Sequence, residues 1–293
     1  MSTTQSYADP FAEWLLVRRY GNDLDEFVKI ESSLNQVREQ VLANAFIAPG
    51  DTVLDIGTGT GLLAFGALER VGKHGIVIFN DTSKDLLDYC RQKATQEQVI
   101  DRCRCIQASA TNLTEIESDS IDAVVIRAVL IFVTDRGHVC EEIHRVLKPG
   151  GRLSLFEPVS RLGFMEGRQP FDEYEVGDVS HLVSKVRAAY DQLSNPLVEV
   201  LEIDERELIS HALAVGFEEI YADLHVSISQ ARPISWDTYI RRAQNPKVPS
   251  ILEAMQVALT ESEIQQFTAH FLPLVESGQG KIRGGGIYLT AIK

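Results

Sequence analysis

Basic residues are scarce in this chain: 28 Lys and Arg stand against 42 Asp and Glu, a formal net charge of -14 over 293 residues. The most basic stretches are short pairs, such as Arg18-Arg19 and Arg241-Arg242. A surface that follows a phosphate backbone needs a basic stripe, so no nucleic-acid partner is expected and small-molecule chemistry is favoured. Cysteine is also sparse. Cys90, Cys103, Cys105 and Cys140 show no C-x-x-C spacing, which argues against a disulfide framework and a zinc ribbon. Cys103 and Cys105 fall on one face of a single expected strand, as two packed thiols. His138, Cys140 and His144 share an expected helix, but only the last two lie at i, i+4, so no metal site is expected. Long apolar runs are missing as well. The longest, "AVVIRAVLIFV", has 11 residues with Arg127 inside it, too short and too charged to span a bilayer. The opening "MSTTQSYADPFAEW" lacks the apolar stretch of a secretory leader. The expectation is a cytoplasmic protein with no membrane partner; the sequence sets no oligomeric state.

What the chain does have is alternation. A first amphipathic helix is expected from Asp23 to Ala45, closed by "APGD". Apolar strands and helical patterns then alternate: "DTVLDIG", "LLAFGALERVG", "GIVIFND", "SKDLLDYCRQKATQ", "CRCIQAS", a strand within "IDAVVIRAVLIFV", "GHVCEEIHRVL" and "GRLSLFEP". Short, continuous apolar strands suit a parallel sheet covered on both faces. After Pro158 the rhythm breaks into a polar, loop-like stretch and a helix, "SHLVSKVRAAYDQL". It resumes with an Asp204/Glu207 helix start, a Gly216 stop and a strand "EEIYADLHVSI". A second irregular insertion contains "TESEIQQFTAHF", where Thr260 and Glu263 form a capping box and Pro273 should end or kink the helix. "GGIYLTAIK" closes as a strand. The expected division is an N-terminal helical cap over 1–45, a cofactor-binding core over 46–158, an insertion or lid over 159–200, core again over 201–229, a second insertion over 230–283 and a final core strand over 284–293.

The stretch "DTVLDIGTGTGLLAFGALERVG" puts Gly57, Gly59 and Gly61 between a strand and a helix. A glycine turn there lets a ligand approach the backbone and sets helix N–H groups beside it. The dinucleotide version is G-x-G-x-x-G, and this loop is one residue tighter. Preceded by "VLD", it resembles the first motif of the class I S-adenosylmethionine-dependent methyltransferases. The resemblance continues through "NDTSKDLLDYCR", with Asp81 20 residues after Gly61, through "DSIDAVVIRAVLIFV" and through "EEIHRVLKPGGRLSLFEP", four blocks in order from Asp51 to Pro158.

The resemblance implies an α/β fold, a Rossmann-like seven-stranded doubly wound sheet of order 3-2-1-4-5-7-6 with strand 7 antiparallel, carrying helical cap segments and insertions. It implies S-adenosylmethionine as cofactor, with S-adenosylhomocysteine as product. Asp55 would hold the amino end of the methionine moiety, and the backbone from Gly57 through Thr58 and Gly59 to Gly61 would lie along the cofactor. Asp81, next to Thr82, would accept from both ribose hydroxyls, because a two-oxygen carboxylate suits a vicinal diol. The adenine would sit at Ala108-Ser109-Ala110, where the family commonly has G-D-A; the Ser109 hydroxyl can accept from the exocyclic amine and the Ala110 amide can donate to the ring. Arg127, at the end of strand 4, would meet the cofactor carboxylate or an acidic substrate group, or else form a structural ion pair with Asp55 or Glu157.

Methyl transfer is an in-line displacement whose electrophile the cofactor supplies, so no dedicated triad is required. A general base could assist, with Glu157 and the histidines His181, His211 and His225 as candidates, the last two more simply read as surface or core histidines; Arg127, as a contact to an acidic group, is the other residue considered for the chemistry. A small-molecule acceptor, a metabolite or natural product, is expected to enter beneath the N-terminal segment and the insertions. Trp14, Arg19 and Tyr20, with Tyr7 and Arg18, form an aromatic and basic cluster there, or anchor a docking helix. Two other readings stand beside this one. An NAD(P)-dependent oxidoreductase shares the strand-loop-helix logic but not the loop spacing or the V-L-K-P-G-G block, and a non-catalytic cofactor-binding regulator would keep the fold without turnover.

Overall fold

The computed structural model of the protein describes residues 7–159 and 171–293. In chain order the elements are α1 (Pro10–Leu16), α2 (Leu24–Ser33), α3 (Asn35–Asn44), β1 (Thr52–Ile56), α4 (Leu62–Val71), β2 (Ile76–Asp81), α5 (Lys84–Gln96), β3 (Cys103–Gln107), β4 (Ile121–Arg127), α6 (Arg136–Val146) and β5 (Leu147–Pro158). They continue with α7 (Ser180–Gln192), α8 (Glu205–Val215), β6 (Glu219–Gln230), α9 (Trp236–Arg241), α10 (Ile251–Ala258), α11 (Glu261–Glu276) and β7 (Lys281–Ile292).

The strands form one seven-stranded sheet of order β3-β2-β1-β4-β5-β7-β6, the order that the resemblance implied. β1 pairs in parallel with β2 and β4, β2 with β3, and β4 with β5. β7 runs antiparallel to β5, from Pro158 opposite Gly286 to Arg152 opposite Ile292. The central strands are buried on both faces, with Val53, Leu54, Ile56, Val124, Val125 and Ile126 all inaccessible, as their unbroken apolar runs required.

The chain divides into two compact units. One takes residues 33–159, 201–225 and 286–293; the other takes 1–32, 160–200 and 226–285. In the first, α3 and α4 cover the sheet: Val41 and Leu42 join Phe65, Leu68 and Phe79 in one apolar cluster, and Phe65 meets Phe79 edge-on at 5.3 Å. Ser154 of β5, fully buried, donates its hydroxyl to the Val41 carbonyl at 2.8 Å, which satisfies a polar group inside that layer. The second unit is largely helical and packs around Phe171, whose ring lies 4.3 Å from Phe271 and 4.9 Å from Phe267. Its one buried carboxylate among the described residues, Glu26, is ion-paired with Arg232 and, at 3.4 Å, with Arg242.

Three local expectations need correction. The helix expected from Asp23 to Ala45 is two helices, α2 and α3, separated at Leu34, where Ser32 and Ser33 offer little helix propensity. Of the two outcomes expected at Pro273, an end to the helix is the one that fails: the proline sits in the last turn of α11, which runs on to Glu276. Glu207 does not close a capping box with Asp204, because its carboxylate instead reaches the Arg136 guanidinium at 3.0 Å. The Thr260/Glu263 capping box is present. Of the polar stretch expected after Pro158, residues 160–170 lie outside the described residues.

Because β7 lies between β5 and β6, deleting residues 286–293 removes an interior strand. The truncated chain is expected to lose its cooperative thermal transition by circular dichroism; a folded, soluble truncation would contradict the assigned topology.

Candidate functional site

The turn from β1 into α4 is shaped by glycine. Gly57, Gly59 and Gly61 take φ values of 65°, 54° and 83°, in the left-handed region that side chains disfavour. At Gly57 there is also no room: a Cβ would stand 2.4 Å from Val129 Cγ2. Two carboxylates grip the turn. Asp55, 2% exposed near the end of β1, accepts from the Thr58 hydroxyl at 2.7 Å and from the Ala64 amide in the first turn of α4 at 3.0 Å. Asp81, at the end of β2, accepts from the Gly59 amide at 2.9 Å and, on its other oxygen, from the Ser83 amide at 2.9 Å. Thr58 N–H donates to the Asn80 carbonyl at 2.8 Å, tying the loop to the neighbouring strand. Burial pushes Asp55 up to about 7, helped by the negative charge of Asp81 and opposed by the Thr58 and Ala64 donors. A cation brought against Asp55 would relieve that penalty.

The loop after β3 is held from the same strand. Ala108 N–H donates to the Asp81 carbonyl at 3.1 Å, and the buried Asn80 side-chain amide donates to the carbonyls of Ala108 at 3.0 Å and Ile106 at 3.3 Å. Asn80 was not singled out in the sequence; a polar residue closing the apolar run "GIVIFND" was the available signal. Ser109 is turned into its own loop, where its hydroxyl accepts from the Thr111 amide at 3.2 Å and lies 2.9 Å from the Thr111 hydroxyl. Ala110 is buried, whereas Thr82 is exposed and uses its carbonyl to hold Gln107.

A second buried carboxylate cradle follows β4. Glu157, fully buried near the end of β5, accepts three consecutive backbone N–H groups, from Val129 at 2.8 Å, Leu130 at 2.9 Å and Ile131 at 3.4 Å. Arg127 precedes this turn, and Ala128 enters it at a φ of 53°. Burial raises Glu157 to about 7, against the pull of the three amides and of the Arg127 charge. The carboxylate considered as a general base is thus engaged by backbone donors. Arg136, 5% exposed, donates to the carbonyls of Leu130 at 3.1 Å and Glu202 at 2.9 Å, bracing the turn from the other side.

The remaining candidates lie in the helical unit. His181 is exposed in the first turn of α7. Trp14 donates its indole N–H to the Ala243 carbonyl at 2.9 Å, the Arg19 guanidinium lies 5.3 Å from the Trp14 ring centre, and Tyr20 is buried edge-on to Phe27 at 4.9 Å.

Adjacent strand ends thus present two acids, a glycine turn no side chain could enter and a helix N-terminus. The two carboxylate acceptors fit a ligand with an ammonium group at one end and a vicinal diol at the other, as in S-adenosylmethionine. Sheet order and loop together define the class I S-adenosylmethionine-dependent methyltransferase architecture. The family model described as "ubiE/COQ5 methyltransferase family" matches residues 32–219, more than half of the sequence, and the chain belongs to that family. It is 34% identical over 120 residues to the ubiquinone/menaquinone biosynthesis C-methyltransferase UbiE of Francisella tularensis subsp. holarctica, a match covering 41% of this chain and 48% of the relative. Against the UbiE of Hydrogenovibrio crunogenus it is 31% identical over 181 residues, covering 59% and 68%. The chain therefore spans about half the length of the Francisella relative and about two thirds of the other. In fold it is similar to the YcgJ protein of Bacillus subtilis, with a TM-score of 0.55 at 18% identity over 88% of this chain and 98% of that one.

Two outcomes are expected. Gly57→Ala forces an L side chain into both a left-handed φ and the Val129 methyl, at a cost of about 1–3 kcal/mol, and should lower the melting temperature. Asp55 and Glu157 hold their protons to about pH 7 in the folded chain, against ordinary values of 3.8 and 4.5. The folded state then binds more protons than the unfolded one between those limits, so these groups stabilise at low pH and the contribution is lost as pH rises through about 7. Urea titrations from about pH 5 to 8 should show a shallower fall for Glu157→Gln than for the unaltered chain; equal slopes would contradict the assignment.

Proposed function

We propose that the chain transfers a methyl group from S-adenosylmethionine to a small-molecule acceptor. The observation that carries this reading is the double grip on the glycine turn, with Asp55 and Asp81 holding Thr58 and Gly59, two consecutive residues. When bound, S-adenosylmethionine supplies a methyl carbon on a cationic sulfur and a neutral thioether as leaving group. The chain's own residues bind and orient. Asp55 receives the amino group as counter-charge, the Gly57–Gly61 backbone lies along the cofactor, and Asp81 takes the ribose hydroxyls. The Ala110 amide and Ser109 meet the adenine, and Arg127 meets a carboxylate. Proximity and alignment of this kind are worth roughly 7–11 kcal/mol in well-oriented cases. Glu157 keeps the turn at Val129 in place.

Support for the acceptor class comes from the relatives, described as acting in ubiquinone and menaquinone biosynthesis as C-methyltransferases. A ring carbon of a quinone-type small molecule in its reduced, hydroquinone form is accordingly the first acceptor to assay: the electron-rich ring supplies the pair for the new carbon–carbon bond, the sulfur keeps the pair of the broken bond, and the ring proton leaves to solvent. The family match stops at residue 219, and the segments outside it, 1–31 and 220–293, are where acceptor choice would diverge from those relatives.

The test is calorimetric titration of the purified chain with S-adenosylmethionine, S-adenosylhomocysteine and NAD, repeated on Asp81→Ala. Binding of the first two, weakened about 30-fold or more in the variant by loss of charge-assisted bonds, is the expected result. Binding of NAD alone would overturn the proposal. S-adenosylhomocysteine release with demethylated quinones reduced to their hydroquinones then tests turnover; cofactor binding without turnover on any acceptor would favour the regulatory reading.

A further inference from the structure

β6 is an edge strand, last in the sheet order, with β7 on one side. It has 12 residues, which extend about 40 Å. Its sequence alternates without a break. Ile220, Ala222, Leu224, Val226 and Ile228 point to one face, and Tyr221, Asp223, His225, Ser227 and Ser229 to the other. Such alternation marks a strand with one covered face, yet the apolar face lies open: Leu224 is 52% exposed, Val226 47% and Ile228 61%. Edge strands are ordinarily blunted by Lys, Pro or inward charge. From Glu219 to Gln230 there is no Lys, Arg or Pro, and on a chain of net charge -14 the stretch Leu224–Gln230 carries no acid.

We propose that β6 pairs antiparallel with β6 of a second copy about a two-fold axis at Leu224, joining two seven-stranded sheets into one. The occupant and the register are chosen by self-complementarity. With Leu224 opposite its own copy, Asp223 faces His225 of the second copy, twice over. Val226 faces Ala222, Ile228 faces Ile220, Tyr221 faces Ser227, and Glu219 faces Ser229. Every apolar residue meets an apolar one, and the acid at the centre meets the only basic side chain on the strand. Slippage by one pair is opposed: one direction sets Asp223 against Asp223, the other His225 against His225, and like groups directly opposite destabilise a ladder. A two-fold, isologous interface needs a surface complementary to itself, which this strand is. The inference does not depend on which acceptor is methylated or whether turnover occurs.

Light scattering on the eluting full-length chain at micromolar concentration is expected to give the mass of two copies. Leu224→Lys, which sets two ammonium groups together on the axis, should halve that mass while leaving the circular dichroism spectrum and melting transition of each copy folded. His225→Asp should weaken association by opposing four carboxylates, and the exchange Asp223→His with His225→Asp should restore it, since the pairs are then re-formed in reverse. Under mild oxidation Leu224→Cys should give a disulfide-linked dimer beyond the unaltered chain's background, whereas Val226→Cys, opposite Ala222, should not. A monomer at all concentrations, a dimer insensitive to Leu224→Lys, or a double exchange no better than His225→Asp alone would each overturn the proposal.

Discussion

Everything at the candidate site hangs on one loop being held still by two acids. Asp55 takes the side chain of Thr58 and Asp81 takes the backbone of Gly59, so neighbouring residues are pinned by carboxylates on neighbouring strands. Three left-handed backbone conformations in five residues would otherwise leave the segment loose. Burying Asp55 is unfavourable for its charged form, and the penalty persists because the Thr58 and Ala64 donors only partly offset it. A site with an under-compensated buried carboxylate is prepared for a cation, and the tension is stored where the ligand would release it.

The same logic recurs one strand over. Glu157 collects three backbone amides into a tight turn, and the side chain of the first of them, Val129, fills the space that a Cβ on Gly57 would need. A carboxylate near the end of β5 thereby limits what the loop after β1 can be, with Ala128 strained at positive φ to make the connection. Arg136 fastens the outside of that turn and couples it to the segment leading into α8. Glu157 thus bears on the glycine loop through the position of the Val129 side chain.

The sheet was legible because its signals are local: continuous apolar strands, a glycine turn after the first and a KPGG segment in the opening part of the fifth, in an order that a single family explains. Asp55 and Asp81 were legible for the same reason, each sitting at the end of an apolar run. Glu157 was visible as a residue but not as a cradle, since its three partners are 26 to 28 residues away in sequence. Asn80 was hidden beside a more obvious acid. The break at Leu34 turned on the small propensity deficit of two serines, which the apolar periodicity masked, and the outcome at Pro273 on position, since the proline falls in the last turn of α11. The helical unit offered least, because its core gathers residues from two stretches far apart in the chain, 171–190 and 234–275.

The place of β7 has a consequence for how the molecule is made. β5 pairs with residues 286–292, more than a hundred positions further on. While the polypeptide emerges, β5 therefore waits with one flank unpaired as the two later stretches of the helical unit, 160–200 and 226–285, are synthesised, and β6 must hold off from the place that β7 will take. Pairings of such sequence separation are slow to form and leave sticky edges exposed in the meantime. The sheet is completed only when the C-terminal strand docks on β5 and brings β6 in on its other edge, so escape from misassembly during synthesis, more than final stability, is the hurdle this topology sets.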